Sequence, residues 1–264
     1  MTNCTFQAES PGHLVTPEQL DMLYARYQLS GQFVMGKEVL EVACGPGLGL
    51  GYLHSKGAKV LGIDISKRNI AIATSHYKGR YNIFLEQLDI EGLPIVKDTC
   101  DVLLCLEAIY YLKKPSAFLD ATYRRLKAGG YFIISMPNKL APGFIPSPLA
   151  NWYPEAETLG YSLKAMNWED IIIYGGFPIK AESLSKAIPW GSKWLGKVPG
   201  GKLAKAFLNK KLFGRTIHLE KEILPEIVDK MQYHFEQIPL GINNPRYKII
   251  YAVCKKGEQS NAKQ

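Results

Sequence analysis

The most informative run of residues in this chain is Val39-Leu-Glu-Val-Ala-Cys-Gly-Pro-Gly-Leu-Gly49. Its first half is apolar enough for a short buried strand, and a helix is predicted directly after it. Three glycines at such a junction let the chain turn tightly and let its backbone approach a ligand without a Cβ in the way. The free N–H groups at the start of the helix can bind the same ligand. The pattern therefore predicts a ligand-binding loop between a strand and a helix.

The spacing of the glycines argues against a dinucleotide site. Gly45, Gly47 and Gly49 stand at i, i+2 and i+4, whereas the dinucleotide fingerprint needs glycines at i, i+2 and i+5. The third position is not a glycine, whichever of the three starts the triplet. An oxidoreductase that uses NAD is therefore the less favoured interpretation.

Strands and helices alternate around this loop. Strands are predicted over residues 37–43, 59–63, 82–88, 101–106 and 131–136, with helices over 48–55, 66–77 and 116–127. A further helix is predicted to start at Thr16, with Pro17 in its first position. This alternation is typical of a parallel sheet with helices on both faces. The later part of the chain predicts a loop over 137–154, helices over 168–174 and about 220–237, and strands over 179–183 and 247–254.

Acidic residues stand where successive strands end. Asp64 ends the strand after the glycine loop, where a carboxylate can accept both hydroxyls of a ribose. Asp89 follows the third strand and could accept a hydrogen bond from an adenine amino group while Ile90 packs on the ring. Glu107 ends the fourth strand. These positions fall at the carboxyl ends of strands, where open α/β sheets bind ligands.

Taken together, these residues resemble the class I S-adenosylmethionine-dependent methyltransferases of the small-molecule type. The resemblance runs from about residue 26 to residue 182 and resumes at the last strand. Besides the glycine loop, it is carried by Gly62-Ile-Asp64-Ile-Ser, Leu88-Asp89, Leu106-Glu107-Ala-Ile-Tyr-Tyr-Leu112 and Leu126-Lys-Ala-Gly-Gly-Tyr-Phe-Ile-Ile-Ser135. It implies an α/β, Rossmann-like, doubly wound sheet of seven strands, mostly parallel, with the last strand antiparallel and inserted beside the fifth.

The resemblance also implies S-adenosyl-L-methionine as the cofactor and S-adenosyl-L-homocysteine as its product. In the family, the acid at Glu41 and the glycine loop hold the methionine part, Asp64 holds the ribose and Asp89 holds the adenine edge. The cofactor-binding residues implied in this chain are Glu41, Cys44, Gly45, Gly47, Asp64, Ile65, Asp89, Ile90 and Leu106. Arg26 and Tyr27 could reach the carboxylate of the cofactor, as similar pairs do in relatives.

No motif names the methyl acceptor, and we favour O- or N-methylation of a small organic molecule. The candidate catalytic residues are Glu107, His218 and His234, and the residues expected near the acceptor are Tyr27, Tyr110, Tyr111, Trp152 and Tyr153. Many relatives have a histidine-containing segment after the glutamate, where Tyr110 and Tyr111 stand here. Family members that methylate nucleic acids usually carry an Asn/Asp-Pro-Pro-aromatic signature after the fourth strand. Here Leu106-Glu-Ala-Ile-Tyr110 stands in its place. A macromolecular methyltransferase and a protein that binds cofactor without turnover are kept as alternatives.

Composition limits the class of protein further. The chain has 264 residues, of which 47% are hydrophobic and 21% charged, which excludes a disordered chain. Its apolar runs are too short for a membrane-spanning helix. Five cysteines form no CxxC pair, so we expect neither a metal site nor a disulfide framework. With no signal peptide visible at the N-terminus, these features predict a cytoplasmic protein.

The net charge of +8 is concentrated in one segment. Residues 183–219 hold seven lysines, one arginine and no acidic residue. We expect this segment to cover the acceptor, with contact to a membrane surface or an anionic acceptor as alternatives and no nucleic-acid partner. We predict a single domain over residues 1–264. Its parts are an N-terminal helical cap (1–36), a cofactor-binding core (37–182), a basic, partly helical insertion or lid (183–246) and the last strand (247–254).

Overall fold

The computed structural model describes residues 9–92, 96–179 and 216–258. The helices of these ranges are α1 (Pro17–Gly31), α2 (Leu50–Ser55), α3 (Lys67–His76), α4 (Pro115–Arg125), α5 (Ala156–Ala165) and α6 (Pro225–Val228). The strands are β1 (Leu14–Val15), β2 (Glu38–Val42), β3 (Lys59–Asp64), β4 (Ile83–Gln87), β5 (Cys100–Leu106), β6 (Leu126–Pro137), β7 (Trp168–Pro178), β8 (Ile217–His218), β9 (Glu236–Ile238) and β10 (Tyr247–Lys256).

The main sheet has the strand order β4-β3-β2-β5-β6-β10-β7-β9. Strands β2 to β6 are mutually parallel, and β10 runs antiparallel between β6 and β7. The prediction of a mostly parallel, doubly wound sheet with an inserted antiparallel last strand is confirmed. The sheet has eight strands rather than seven, because β9 pairs with the outer edge of β7. The strand order reverses between β2 and β5, which opens a crevice at their carboxyl ends.

Apolar side chains cover both faces of the sheet, as expected for parallel strands buried on both sides. One face packs against α1, whose buried Leu23 and Tyr27 belong to the same apolar cluster as Val39 of β2 and Tyr251 of β10. We call this the α1 face. The opposite face, which we call the α4 face, carries a second cluster that includes residues of α4 and α5.

Helix α1 begins as predicted from its capping residues. The Oγ1 atom of Thr16 accepts a hydrogen bond from the Gln19 N–H at 3.2 Å, and Gln19 Oε1 accepts one from the Thr16 N–H at 3.0 Å. Pro17 occupies the first helical position, where its missing N–H has no partner to lose. This reciprocal cap fixes where α1 enters the fold and so places Arg26 and Tyr27 beside the glycine loop.

The prediction of a helix over residues 168–174 is wrong, because this segment belongs to β7. Its core is a run of three isoleucines, which are branched at Cβ and favour extended backbone. A Gly-Gly pair after an apolar run, as at Gly175 and Gly176, is also typical of the end of a helix, and so the sequence favours a helix here. In the structure both glycines lie within β7, where a Cβ would collide with the rings of Tyr247 and Tyr251 of the neighbouring strand.

The prediction of a long helix over about 220–237 is also wrong. Only Pro225–Val228 is helical there, because a proline cannot continue a helix that begins before it. The segment ends in the short strand β9, and α5 was not predicted at all. Ile179 lies outside any strand. Residues 180–215, which include most of the predicted lid and the rest of the strand predicted over 179–183, lie outside the described residues.

No helix within the described ranges is long and apolar enough to cross a membrane. Within the same ranges, no three His, Cys, Asp or Glu residues lie where they could hold a metal ion. Four cysteines of this part of the chain are buried and carry free thiols, namely Cys44, Cys100, Cys105 and Cys254.

Candidate active site

The glycine loop joins β2 to α2 through backbone in the left-handed region. Gly45 has φ +60° and Gly47 has φ +81°, which side chains rarely adopt. A Cβ on Gly47 would lie 3.1 Å from atoms of Leu50, Ala73 and Tyr77. The sequence predicted that this glycine keeps space for a ligand, but the space that a Cβ would take is limited by the packing of the protein itself.

Tyr77 holds the loop in place, and sequence reasoning did not find it. Its Oη donates a hydrogen bond to the Gly47 carbonyl at 2.6 Å and accepts one from the Gly51 N–H at 3.0 Å. Burial raises the pKa of this hydroxyl, which keeps it protonated and able to donate. The residue follows α3 without a motif around it, so only the structure reveals its contact with the loop.

Asp64 ties the end of β3 to the glycine loop. Its Oδ2 accepts a hydrogen bond from the Gly45 N–H at 2.9 Å, and its Oδ1 accepts from the Ser66 N–H at 2.8 Å and from Asn69 Nδ2 at 3.2 Å. A carboxylate can accept about four hydrogen bonds, so one remains for a ribose hydroxyl. The buried Asp64 carboxylate therefore supports the loop and keeps one acceptor position, enough for one ribose hydroxyl rather than for the two that the sequence suggested.

Three residues beside Asp64 offer an edge and a face for a flat ring. Ile65 follows Asp64 and is 53% exposed, so its apolar side chain is open to a ligand. Asp89 is exposed, with its Oδ1 accepting a hydrogen bond from the Glu91 N–H at 2.9 Å, and Ile90 is half-buried. An exposed carboxylate next to two apolar side chains fits an adenine ring.

Glu41 is a buried acid directly before the loop. Its side chain is 2% exposed, and its Oε1 accepts a 2.6 Å hydrogen bond from Tyr27 Oη. Among the residues that the structure describes, its Oε2 has no hydrogen-bond partner. Burial raises the pKa of Glu41 to about 7, although the Tyr27 hydroxyl and the Arg26 guanidinium act in the opposite direction. A cationic ligand group at Oε2 would stabilise the ionised form.

Arg26 is a buried cation close to Glu41. Its guanidinium forms an ion pair with Glu9, and the guanidinium carbon lies 5.8 Å from the centre of the Tyr27 ring. Burial opposes its charge, but the Glu9 and Glu107 carboxylates raise the pKa of Arg26 overall. Its Nε has no hydrogen-bond partner within the described part of the chain. The Arg26 cation and the orphaned Glu41 oxygen match the carboxylate and ammonium of an α-amino acid.

Two other predicted cofactor residues, Cys44 and Leu106, are buried beside the loop. The Cys44 N–H donates to the Ile63 carbonyl at 2.9 Å, and its thiol is buried, which raises the pKa of the thiol. Leu106 is the buried last residue of β5. Both side chains are packed in the core, so neither offers a free polar group to a ligand.

Glu107 follows β5 with φ +57°, a left-handed conformation that costs energy for any residue with a Cβ. Its Oε2 accepts a hydrogen bond from Tyr110 Oη at 3.3 Å, and its Oε1 accepts one from Ser135 Oγ at 3.4 Å. A strained acid at the carboxyl edge, oriented by two hydroxyls, is typical of a functional position. Ser135, on β6, was not among the predicted site residues.

Predicted acceptor residues form an aromatic group beside Glu107. The Tyr110 ring stacks on that of Tyr153 at 4.8 Å and meets that of Tyr111 at 4.5 Å. The Tyr110 carbonyl accepts the backbone N–H of Trp152 at 3.2 Å, which ties the proline-rich loop to this group. Tyr27 lies elsewhere, on α1, where its hydroxyl serves Glu41 and its ring fills the space that a Cβ of Gly49 would take.

Both candidate histidines are exposed. His218 lies in β8, with its Nδ1 3.0 Å from the Gly12 carbonyl oxygen. His234 lies between Tyr233 and Phe235, which pack on the α1 face while His234 itself is exposed. No contact in the described residues joins either imidazole to Glu107, so a catalytic role for them stays a prediction.

Comparison with known proteins shows which proteins this chain resembles. Residues 40–134 match the family model described as a methyltransferase domain. The ubiquinone biosynthesis O-methyltransferase of Pseudomonas fluorescens (strain Pf0-1) is 30% identical over 131 residues, which are 49% of this chain and 54% of that protein. The chain therefore spans about half the length of the curated relatives that it matches.

Solved structures share the fold. A SAM-dependent methyltransferase from Archaeoglobus fulgidus has a TM-score of 0.58 and 17% identity, covering 89% of this chain and 94% of its own. The cyclase SpnF also has a TM-score of 0.58, with 18% identity over 95% of this chain and 89% of its own.

The fold and the site define a Rossmann-like methyltransferase domain. Residues 40–134 match a methyltransferase domain, and the chain has the fold of solved S-adenosylmethionine-dependent methyltransferases. The cofactor of this class is S-adenosylmethionine, and the buried polar groups fit it: Arg26 and Glu41 suit its amino-acid end, and Asp64 suits its ribose.

The raised pKa of Glu41 predicts a dependence of stability on pH. Between the ordinary value of 4.5 and about 7, the folded chain holds a proton that the unfolded chain has lost. Stability should therefore fall as the pH rises through this window, by about 1.4 kcal/mol per pH unit. We expect Glu41→Gln to remove this fall, measured as the free energy of unfolding in urea at pH 5, 6 and 7.

The matched control for this prediction is Glu38→Gln on the same strand. Hydrogen bonds from Lys127 and Lys59 lower the pKa of the half-exposed Glu38, so this change should leave the fall between pH 5 and 7 in place. Equal slopes for the wild type and Glu41→Gln would contradict the assignment of a buried, protonated Glu41.

Proposed function

We propose that this chain transfers a methyl group from S-adenosylmethionine to an oxygen or nitrogen atom of a small organic molecule. The observation that carries the proposal is the position of Glu107. It stands at the carboxyl end of β5, within electrostatic reach of Arg26 on one side and hydrogen-bonded to Tyr110 of the aromatic group on the other. An acid between the cofactor residues and an apolar surface is suited to receive an acceptor.

The cofactor residues would bind S-adenosylmethionine at both its amino-acid end and its nucleoside end. Arg26 and Glu41 bind the amino-acid end, while Asp64, Ile65, Asp89 and Ile90 bind the nucleoside. When bound, S-adenosylmethionine supplies a methyl group already activated by its sulfonium charge. The protein then needs to orient the acceptor and exclude water, which supplies much of the rate in such reactions.

Glu107 has a different task for each kind of acceptor atom. Its carboxylate can accept the proton of a hydroxyl group as a general base. For an amine, the same carboxylate would stabilise the positive charge that develops on nitrogen. The curated relative at 30% identity is named an O-methyltransferase, which supports oxygen as the acceptor atom.

The location and partners of the enzyme are part of the proposal. Four buried free thiols suit a reducing compartment, and we propose the cytoplasm. The partner is a small-molecule acceptor rather than a nucleic acid. Residues 183–219 carry a net charge of +8, which favours an anionic acceptor or an anionic surface as a partner of the enzyme.

Methyl transfer can be tested with S-adenosylmethionine labelled in its methyl group. The chain is incubated with a cell extract separated into small-molecule, protein and nucleic-acid fractions. We expect label in the small-molecule fraction, and a loss of at least tenfold in its rate for Glu107→Gln, since a positioned base contributes about 10²–10⁴-fold. Label confined to the protein or nucleic-acid fraction, or binding of S-adenosylhomocysteine without any transfer, would contradict the proposal.

A further inference from the structure

A tyrosine in the middle of the last strand has a buried hydroxyl that forms no hydrogen bond within the described part of the chain. Tyr251 of β10 is 1% exposed, and its Oη has no hydrogen-bond partner among the described residues. A buried hydroxyl without a partner costs stability and is uncommon in native proteins. A ligand that enters the site and forms the missing hydrogen bond would account for it.

The register of the sheet places Tyr251 beside the candidate catalytic acid. Tyr251 stands directly opposite Ser135 of β6. Directly opposed residues of an antiparallel pair project side by side from the same face of the sheet. Ser135 Oγ donates the 3.4 Å hydrogen bond to Glu107, so one side chain separates Tyr251 from the Glu107 carboxylate.

The ring of Tyr251 leans toward the carboxyl edge of the sheet. On β7, the residue opposite Tyr251 is Tyr174, and Gly176 lies two residues nearer to that edge. A Cβ on Gly176 would come within 2.7 Å of Tyr251 Cε2, so the glycine leaves room for the ring. Phe235 packs edge-to-face against the same ring at 5.1 Å. The hydroxyl therefore lies on the α1 face and at the end of the sheet that carries the site.

Two charged groups of the site, Glu107 and Arg26, act on this hydroxyl. Burial raises the pKa of Tyr251, and the Glu107 carboxylate raises it further, while Arg26 lowers it. The net effect keeps the hydroxyl neutral and able to donate a hydrogen bond. Tyr233, the other ionisable group that acts on Tyr251, donates its own hydroxyl to Asp21 at 3.2 Å.

We propose that the Tyr251 hydroxyl and the Glu107 carboxylate together hold the reacting atom of the methyl acceptor, an inference that rests on the proposed function. Tyr251 donates a hydrogen bond to that atom, and Glu107 accepts one from it. The pair therefore selects an acceptor atom that donates one hydrogen bond, accepts another and still keeps a lone pair for the methyl carbon, namely a hydroxyl oxygen. An amine nitrogen has a single lone pair, which the Tyr251 hydrogen bond would occupy. Tertiary amines and thioethers lack the proton that Glu107 requires.

The test compares Tyr251→Phe with Tyr247→Phe, a tyrosine of the same strand that packs on the α4 face. Rates are measured with saturating S-adenosylmethionine and a dilution series of the small-molecule fraction that the wild type labels. We expect Tyr251→Phe to lower the rate at limiting acceptor at least tenfold. Its affinity for S-adenosylhomocysteine should stay within twofold, its unfolding midpoint should not fall, and Tyr247→Phe should keep the wild-type rate.

Three results would overturn the role of Tyr251. The variant could keep the wild-type rate at every dilution, its affinity for S-adenosylhomocysteine could fall, or its unfolding midpoint could fall. The second result would assign the hydroxyl to the cofactor, and the third would give it a partner within the protein. A wild type that binds S-adenosylhomocysteine but labels no fraction would instead overturn the proposed function, and this inference with it.

Discussion

Gly47→Val is expected to destabilise the folded chain by about 2–5 kcal/mol. Left-handed backbone costs a residue with a Cβ about 1–2 kcal/mol, and Gly47 has φ +81°. Extra carbon atoms in a packed site add about 1–3 kcal/mol, and a Cβ here would already lie 3.1 Å from three neighbouring side chains. The measurement is the free energy of unfolding in urea.

A substitution at a second glycine separates the energy lost to backbone strain from the energy lost to poor packing. Gly79 has φ +82°, and nothing lies within 4 Å of the position that its Cβ would take. Gly79→Val should therefore lose only the strain energy, about 1–2 kcal/mol. Equal losses for the two variants would show that the packing around Gly47 contributes nothing. A Gly47→Val chain of wild-type stability would contradict the loop geometry itself.

Asp64→Ala is expected to weaken binding of S-adenosylhomocysteine by about 1.5–3 kcal/mol, roughly a ten- to hundredfold loss of affinity, because hydrogen bonds to a charged group disappear. The same change leaves the Gly45 N–H without the partner that it has at 2.9 Å. We therefore expect stability to fall as well, by about 1–3 kcal/mol. Calorimetric titration measures the first effect and urea unfolding the second.

Asp89→Ala is the matched control for this double effect. Asp89 is exposed, and its hydrogen bond is to the N–H of its own turn. The change should weaken binding while stability stays within about 0.5 kcal/mol of the wild type. An Asp64→Ala chain that binds S-adenosylhomocysteine as the wild type does would remove Asp64 from the site.

The parallel half of the sheet could be predicted because its signals are local. The apolar strand before Gly45, the acid at Asp64 and the cap at Thr16 each specify their own conformation within a few residues. The helix prediction for this part of β7 was wrong because its two glycines make room for the rings of two tyrosines of β10, some 70 residues later in the chain. A contact of that kind has no signal in the sequence around either partner.

The candidate site divides in the same way. Residues of the family motifs were found from the sequence, since the motifs occupy fixed places on successive strands. Tyr77, Ser135 and Tyr251 were not, because each reaches the site through strand register or through the packing of a helix end. The orphaned atoms of Arg26, Glu41 and Tyr251 become visible only when burial and hydrogen bonding are known together.

We expect the carboxyl edge around Asp64 and Glu41 to bind S-adenosylmethionine rather than a dinucleotide. The most direct measurement is a calorimetric titration of the wild-type chain with S-adenosylhomocysteine and, separately, with NADH. We expect saturable binding of one S-adenosylhomocysteine per chain and no heat of binding with NADH. Saturable binding of NADH without binding of S-adenosylhomocysteine would contradict it.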